Sequence, residues 1–463
     1  MSNNLSTQPT DTRTFQGSVR TGRTCLVPDA VFEYLKRQNK TSNLQIQTIK
    51  KGLTYGGRFT RAQAIQIAQR LTYLKTLKTF FAYLYYNMQI KPMDRTVVYV
   101  CQALKRYKSL KELDLECMGH HCFTPEGKFY LATALARLKD LESLKLIISN
   151  PVSVGDRQIR EISQALKKLK KIKKLYIGFS YFQRVHKAGL DKICLTLLSL
   201  RKLEDLEFTI AWSQNSLKFG APALGKSLTN LTQLKRLKFR FSGDASVNIK
   251  ELSKLIEPIS MLKNLEELSV GLATCLRISD ALLFRLSESL SHLTNLKVFS
   301  LYIGRSNLAT DKGLSYICNS LDKLLKITEL TISIEYITGF TEKGYCSFGE
   351  ELRKMKLLHA LNLNIVGCFG LTNVGVAEIM NALTAIEDLK TLKLNVLDCI
   401  GITNDAIKKL GMVLPKMTAL EQLEMNFEGC TALTKQTVEA FHEKLIKEKN
   451  YKKISVFFPD PEE

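Results

Sequence analysis

A phrase of the form Leu-x-x-Leu-x-Leu, first met at Leu110-Lys-Glu-Leu113-Asp-Leu115, returns at one fixed interval along most of the chain. Its central position is held in turn by Leu113, Leu144, Leu175, Leu206, Leu237, Leu268, Phe299, Leu330, Leu361, Leu392, Leu423 and Ile454, and each of the eleven intervals is 31 residues. Self-similarity at such a period dictates a stacked-repeat architecture, because each unit is too small to bury its own apolar face and must pack on its neighbours. The 463 residues are therefore not read as about three ordinary domains, the number that length alone suggests.

Other columns keep the same register. Twenty-two residues after the reference position stand Leu135, Leu166, Leu197, Leu228, Ile259, Leu290, Leu321, Leu352, Leu383, Leu414 and Leu445. Eleven residues after it stand Thr124, Asn248, Ser279, Thr310, Thr341, Thr372, Thr403 and Thr434. Ser, Thr and Asn are the residues a helix N-cap requires, since the side-chain oxygen accepts from an unpaired backbone N–H. Before that column the apolar period is two, with Leu361, Leu363 and Ile365 on one face and Ala360, Asn362 and Asn364 on the other. After it the spacing is helical, as at Val376, Ile379 and Leu383. Each unit thus reads as strand, turn, capped helix and return loop. The expected fold is an α/β solenoid shaped as a horseshoe, with a parallel sheet on the concave side and helices on the convex side.

The recurring phrase resembles a leucine-rich repeat of the ribonuclease-inhibitor-like class. Cys368-Phe-Gly-Leu-Thr-Asn-Val-Gly-Val376 and Cys399-Ile-Gly-Ile-Thr-Asn-Asp-Ala-Ile407 also resemble the cysteine-containing subclass common in F-box proteins. The resemblance implies a recognition surface on the concave sheet. It covers residues 110–458, and two looser units precede it. Thr60, Leu71, Leu74 and Leu77 fit a unit whose strand starts near Ile49, and Phe80, Ala82 and Leu84 fit the next strand, followed by a helix to Leu104. That makes about fourteen strands. The expected division is a disordered polar tail at 1–28, an N-terminal cap with two irregular repeats at 29–109, and the regular array at 110–463 with a C-terminal cap strand and an acidic tail.

Composition excludes several classes. A chain with 45% hydrophobic residues and only 10 Pro and 25 Gly is not disordered throughout. No apolar run reaches the ~18 residues needed to cross a bilayer. Eleven cysteines without framework spacing do not make a disulfide-stapled secreted protein. The first 28 residues lack the apolar core of a secretory signal. A cytoplasmic location is expected, with nuclear and mitochondrial ones left open.

The formal charge of +23 raises the question of an acidic partner. Much of it has a structural reading. Lys173, Glu204, Lys235, Glu266 and Lys297 alternate in one column before the strand, and Lys174, Asp205, Arg236 and Glu267 in the next, so they should pair between repeats. In the basic run Lys167–Lys174, Leu169 and Ile172 occupy core columns. The outward strand positions start acidic at Asp114 and Glu116, turn basic at Lys238 and Arg240, and become amide-rich. No basic stripe interleaved with stacking aromatics is present, which disfavours nucleic acid.

Three motifs tempt a chemical reading. Gly220-Ala-Pro-Ala-Leu-Gly-Lys226-Ser227 matches a phosphate loop, yet in register it lies within a helix, with Leu228 as its core leucine. Cys117, His120, His121 and Cys122 are too closely spaced to supply all four zinc ligands. Cys275, Cys368, Cys399 and Cys430 share a column that reads as a ladder of buried, reduced thiols. No nucleophile–base pair stands in register, so neither an enzyme nor a cofactor or metal site is expected.

The expected function is non-catalytic recognition of a neutral or acidic protein on the concave sheet and turn edge. Candidate contacts are Tyr176, Arg236, Lys238, Arg240, Tyr302, Asn362, Asn364, Asn395 and Asn426 on the strands. At the turn edge they are Tyr181 and Trp212, the only tryptophan, with Phe182 alongside; these rings either form a binding hot spot or fold back over the core. One alternative is an F-box-type ubiquitin-ligase receptor, since Leu26-Val-Pro28-Asp-Ala-Val-Phe-Glu-Tyr-Leu35 resembles the opening of an F-box. Another is docking on an acidic polymer through the lysine-rich loop edge. Partner, pathway and oligomeric state are left open.

Overall fold

The computed structural model describes residues 79–85, 94–118, 125–149, 154–182, 184–211, 216–242, 249–272, 277–448 and 451–459. Within them thirteen strands, from Thr79–Tyr85 to Lys453–Phe457, form a single sheet in strict chain order. Every neighbouring pair is parallel. The pairing follows the sequence register, with Leu113 opposite Leu144 and Leu361 opposite Leu392. The second looser unit is in place too: Phe80 pairs with Leu113, and the helix Asp94–Leu104 follows. The strand expected near Ile49, the tail at 1–28, the F-box-like segment 26–35 and the last four residues lie outside the described residues. So do Thr124, Trp212, Asn248, Cys275, His120, His121 and Cys122.

Each strand but the last is followed by a helix, and each helix packs on the next along the array, so the helices form one layer. Strands repeat at ~4.8 Å, whereas helix axes need about 8–10 Å. The helical layer is therefore the longer one, and the sheet lines the concave side. Strands such as Ser143–Ser149 and Asp205–Ala211 alternate between buried and half-buried residues along their whole length. The reference leucines and those 22 residues later make one continuous core. Each such side chain contributes about 1.5–3 kcal/mol of burial. The exception is the last reference position. Ile454 remains 38% exposed, because no described strand stacks beyond it. There the core is closed by Phe458, whose ring stacks on Phe427 at 5.3 Å and meets Phe441 edge-on at 6.2 Å.

The cap column does more than sequence suggests, and partly something else. Thr310, Thr372 and Thr403 accept from the N–H two residues on, as N-caps should. Ser279 and Thr341 sit at N-cap positions without that bond. The main task of the column is to join repeats. Asp280 accepts from Thr310 N at 2.7 Å, Thr310 Oγ1 at 2.6 Å and Gly313 N at 3.0 Å. Asp311 takes the same role toward Thr341, Glu342 accepts from the Thr372 hydroxyl, Asn373 accepts from Thr403 N while its Nδ2 donates to Thr403 Oγ1, and Asn404 accepts from Thr434 N. The first helical residue of one unit thus holds the cap of the next. Glycine follows from this contact, since a Cβ at Gly313 would lie 2.5 Å from Asp280 Oδ1 and one at Gly344 2.2 Å from Asp311 Oδ1.

The first charge column pairs between repeats, and the second does so only at Arg236 and Asp205: Lys174 has no carboxylate partner among the described residues, and Glu267 is held by Lys238. Lys111 meets Glu142 at 2.8 Å, Lys235 meets Glu204 at 3.2 Å, and Lys297 meets Glu266 at 2.8 Å. Arg236 holds Asp205 through Nε and Nη2, at 2.9 and 2.8 Å. Hydrogen bonds from Lys111, Lys297 and Lys452 hold Glu142, Glu266 and Glu421 below the usual carboxylate range. A carboxylate whose folded pKa is depressed adds stability that is present at neutral pH and lost as pH falls through that folded value. The urea midpoint should therefore drop on acidification below about pH 4.5, and the drop should be smaller in ~0.5 M salt. A midpoint that falls equally in both salts would remove the ladder as its cause.

Candidate recognition surface

Strand alternation turns every second side chain toward the concave face. Near the N-terminal end, Lys145 bridges Asp114 at 3.6 Å and Glu116, and its ammonium lies 5.4 Å from the centre of the Tyr176 ring. Burial, then the Glu207 charge, pushes the Tyr176 hydroxyl above its ordinary range. In mid-array, Arg236 is held by Asp205 as described, and Lys238 contacts Glu267 at 2.5 Å. Burial works against the Lys238 charge, but the Glu267 hydrogen bond and the charges of Glu267, Glu207 and Asp205 together outweigh it and the pKa rises.

Arg240 and Tyr302 stand two strands apart, with Gly271 between them. The guanidinium crosses the glycine and lies 5.2 Å from the Tyr302 ring centre. A Cβ at Gly271 would stand 3.0 Å from Arg240 Cγ. Toward the C-terminal end the amides link up. Asn364 Nδ2 donates to Ser333 Oγ at 2.8 Å, and Asn395 Nδ2 donates to Asn364 Oδ1 at 2.6 Å. Asn395 and Asn426 each accept from the backbone N–H two residues on, and so hold the turn after the strand. Asn362 lies one position earlier, between Thr331 and Lys393.

The turn edge separates the aromatic candidates. Phe182 folds back over the core, edge-on to Phe179 at 5.0 Å. Tyr181 is exposed, with φ +58°. Its left-handed conformation is a column that sequence reading missed: Arg305, Tyr336, Gly367, Asp398 and Gly429 occupy the same place at φ between +51° and +73°. The turn lets one more N–H reach the next repeat, as in Tyr336 N to Val366 O at 2.7 Å, before the chain leaves the sheet. The signal was present in Gly367, Asp398 and Gly429, residue types that tolerate positive φ. Tyr336 leans across Gly367, where a Cβ would be 2.3 Å from its ring, and donates its hydroxyl to Asp398 Oδ2 at 3.3 Å. Burial, then Asp398, raises its pKa.

The tempting motifs take structural places. Residues 220–227 lie inside the helix Ser216–Leu228, with Ser227 Oγ donating to Cys194 O at 2.8 Å. Cys117 is a buried strand residue. Cys368, Cys399 and Cys430 are buried, free thiols directed at backbone carbonyls of the preceding repeat. Burial pushes the Cys399 thiol up to about 12 and that of Cys430 to about 11. No helix among the described residues is long and apolar enough to cross a membrane.

On the opposite edge, where helices return to strands, Leu169 and Ile172 are buried as the register requires. Lys171 meets Asp140 at 2.5 Å, and Lys173 reaches Glu142 at 3.7 Å. Lys168 and Lys174 are exposed, with no carboxylate partner among the described residues. No protein-family model matches the chain, and no curated protein matches its sequence.

Proposed function

We propose that the chain is a leucine-rich-repeat protein of the ribonuclease-inhibitor-like class. On this reading it is a non-catalytic scaffold that recognises a protein partner on its concave sheet and turn edge. The observation that carries the reading is the bracing of outward side chains. Arg240 is laid on Tyr302, and Asn364 and Asn395 are joined amide to amide. Side chains already held in place lose less entropy when a partner arrives, which favours binding. The net charge of +23 favours a neutral or acidic partner overall.

The test is affinity capture with washes at low and at ~0.5 M salt, where surface charge is heavily screened. A defined protein should survive the high-salt wash, and the double variant Arg240→Ala/Tyr302→Ala should lose it by tenfold or more. Retention unchanged by that variant would place the contact elsewhere. The unpaired Lys168 and Lys174 favour a second reading, docking of an acidic polymer on the return-loop edge. In that case everything washes off at high salt, and Lys168→Glu/Lys174→Glu abolishes the low-salt binding. The F-box alternative rests on residues 26–35. It predicts that a ubiquitin-ligase adaptor is retained and is lost when residues 1–45 are removed.

A further inference from the structure

Large apolar side chains are left exposed along one stretch of the turn edge. Phe369 is 56% and Ile400 55% exposed, and they hold the same column in adjacent repeats, eight residues after Leu361 and Leu392. Tyr336, in the turn of the preceding repeat with its ring over Gly367, and Val374, in the first turn of the helix that follows Phe369, are also exposed. Isolated exposed apolar residues need no explanation, but a contiguous group does. The turns that carry these two are rigid by construction. Gly370 and Gly401 let them press on the preceding repeat, where a Cβ would meet Phe340 O at 2.0 Å and Leu371 O at 2.8 Å.

The charge around this strip is opposite to that of the molecule. Across the turns 334–343, 365–374, 396–405 and 427–436 stand Glu335, Glu342, Asp398, Asp405 and Glu428 against Lys343 and Lys435, with Asp405 paired to Lys408 at 3.6 Å. At three helix N-termini on this edge the N–H of the residue before the helix, Thr341, Thr403 and Thr434, is already taken by the Asp311, Asn373 and Asn404 side chains. We propose that this strip docks an extended, cationic peptide segment of a partner protein, with apolar side chains seated on Phe369 and Ile400 and lysine or arginine facing Asp398 and Glu428. The proposal builds on the scaffold reading by giving one edge its partner chemistry.

The test uses a fluorescein-labelled decapeptide alternating lysine with leucine, and a control in which glutamate replaces each lysine. A protein of charge +23 repels the first peptide and attracts the second, so a preference for the cationic one requires a local site. The expected result is saturable binding of the lysine peptide, weakened at least tenfold by Phe369→Ser/Ile400→Ser. Asp398→Asn should weaken it less and flatten its salt dependence. Phe369 and Ile400 are exposed, and asparagine keeps an oxygen for the Tyr336 hydroxyl that Asp398 accepts, so thermal unfolding should match the parent and separate lost binding from lost fold. Binding that is equal in the parent and the double variant, or stronger for the glutamate peptide, overturns the proposal. So does a concentration-dependent dimer that Phe369→Ser/Ile400→Ser abolishes, since the strip would then join two copies of this chain. In each overturning case the Arg240/Tyr302 capture experiment still decides the scaffold reading separately.

Discussion

Replacing Gly225 with alanine will destabilise the protein by about 3 kcal/mol, the upper end of the usual cost of overpacking. The sign is the informative part. In a helix interior, glycine to alanine ordinarily gains up to ~1 kcal/mol, because alanine loses less backbone entropy. Gly225 lies in the helix Ser216–Leu228, and a Cβ there would stand 1.9 Å from the carbonyl oxygen of Lys254 in the next helix. Backbone cannot swing aside as a side chain can, so the two helices must part. Gly411 is the built-in control. It falls 19 residues after its reference leucine, as Gly225 does, but its Cβ would meet side-chain atoms alone at ordinary contact distance, the nearest being Phe441 Cδ2 at 3.5 Å and Lys444 Cδ at 3.6 Å. Gly411→Ala should therefore gain a few tenths of a kcal/mol to ~1 kcal/mol. Urea denaturation of the pair decides the matter, and two shifts of the same sign would refute the packing account.

The second large effect is expected at Asp280. Its carboxylate takes three hydrogen bonds from the following repeat. Asp280→Ala leaves the Thr310 and Gly313 N–H groups without that acceptor, at a cost of about 2–3 kcal/mol. Asp280→Asn should cost less than half as much, because Asn373 and Asn404 hold Thr403 and Thr434 through an amide oxygen in the same column. Amide exchange gives the local readout. Thr310 and Gly313 should lose protection in the alanine variant while the strand Val298–Gly304 keeps its own. If alanine and asparagine behave alike, these bonds do not hold the repeats together.

The array was legible because its register is rigid. A strand shifted by one residue would turn Leu361, Leu363 and Ile365 outward, so period and face could be read together. Interactions between repeats were legible only where both partners repeat. The Lys–Glu columns announced themselves by alternating sign. The Asp280–Thr310 link did not, since Asp280 reads equally well as an acid suited to its own helix N-terminus. Arg240 was marked as a contact, but its reach across Gly271 to Tyr302 depends on a missing side chain, and a glycine has many possible reasons. The left-handed turn column was hidden because Tyr181, Arg305 and Tyr336 are not residues that favour positive φ. Phe369 and Ile400 look like core residues in any hydropathy reading. Only the glycine-tight turn beside each shows that they face outward.

The alternating ladder also gives the array a parity. Lys173, Glu204, Lys235, Glu266 and Lys297 take turns along one edge. Cutting out the unit that carries Glu204 would leave the apolar register intact but set Lys173 against Lys235. Cutting out two consecutive units would restore every opposite pair. Over this stretch the protein can grow or shrink most cheaply by even numbers of repeats, a selection rule written in charge on a core that would accept any whole number.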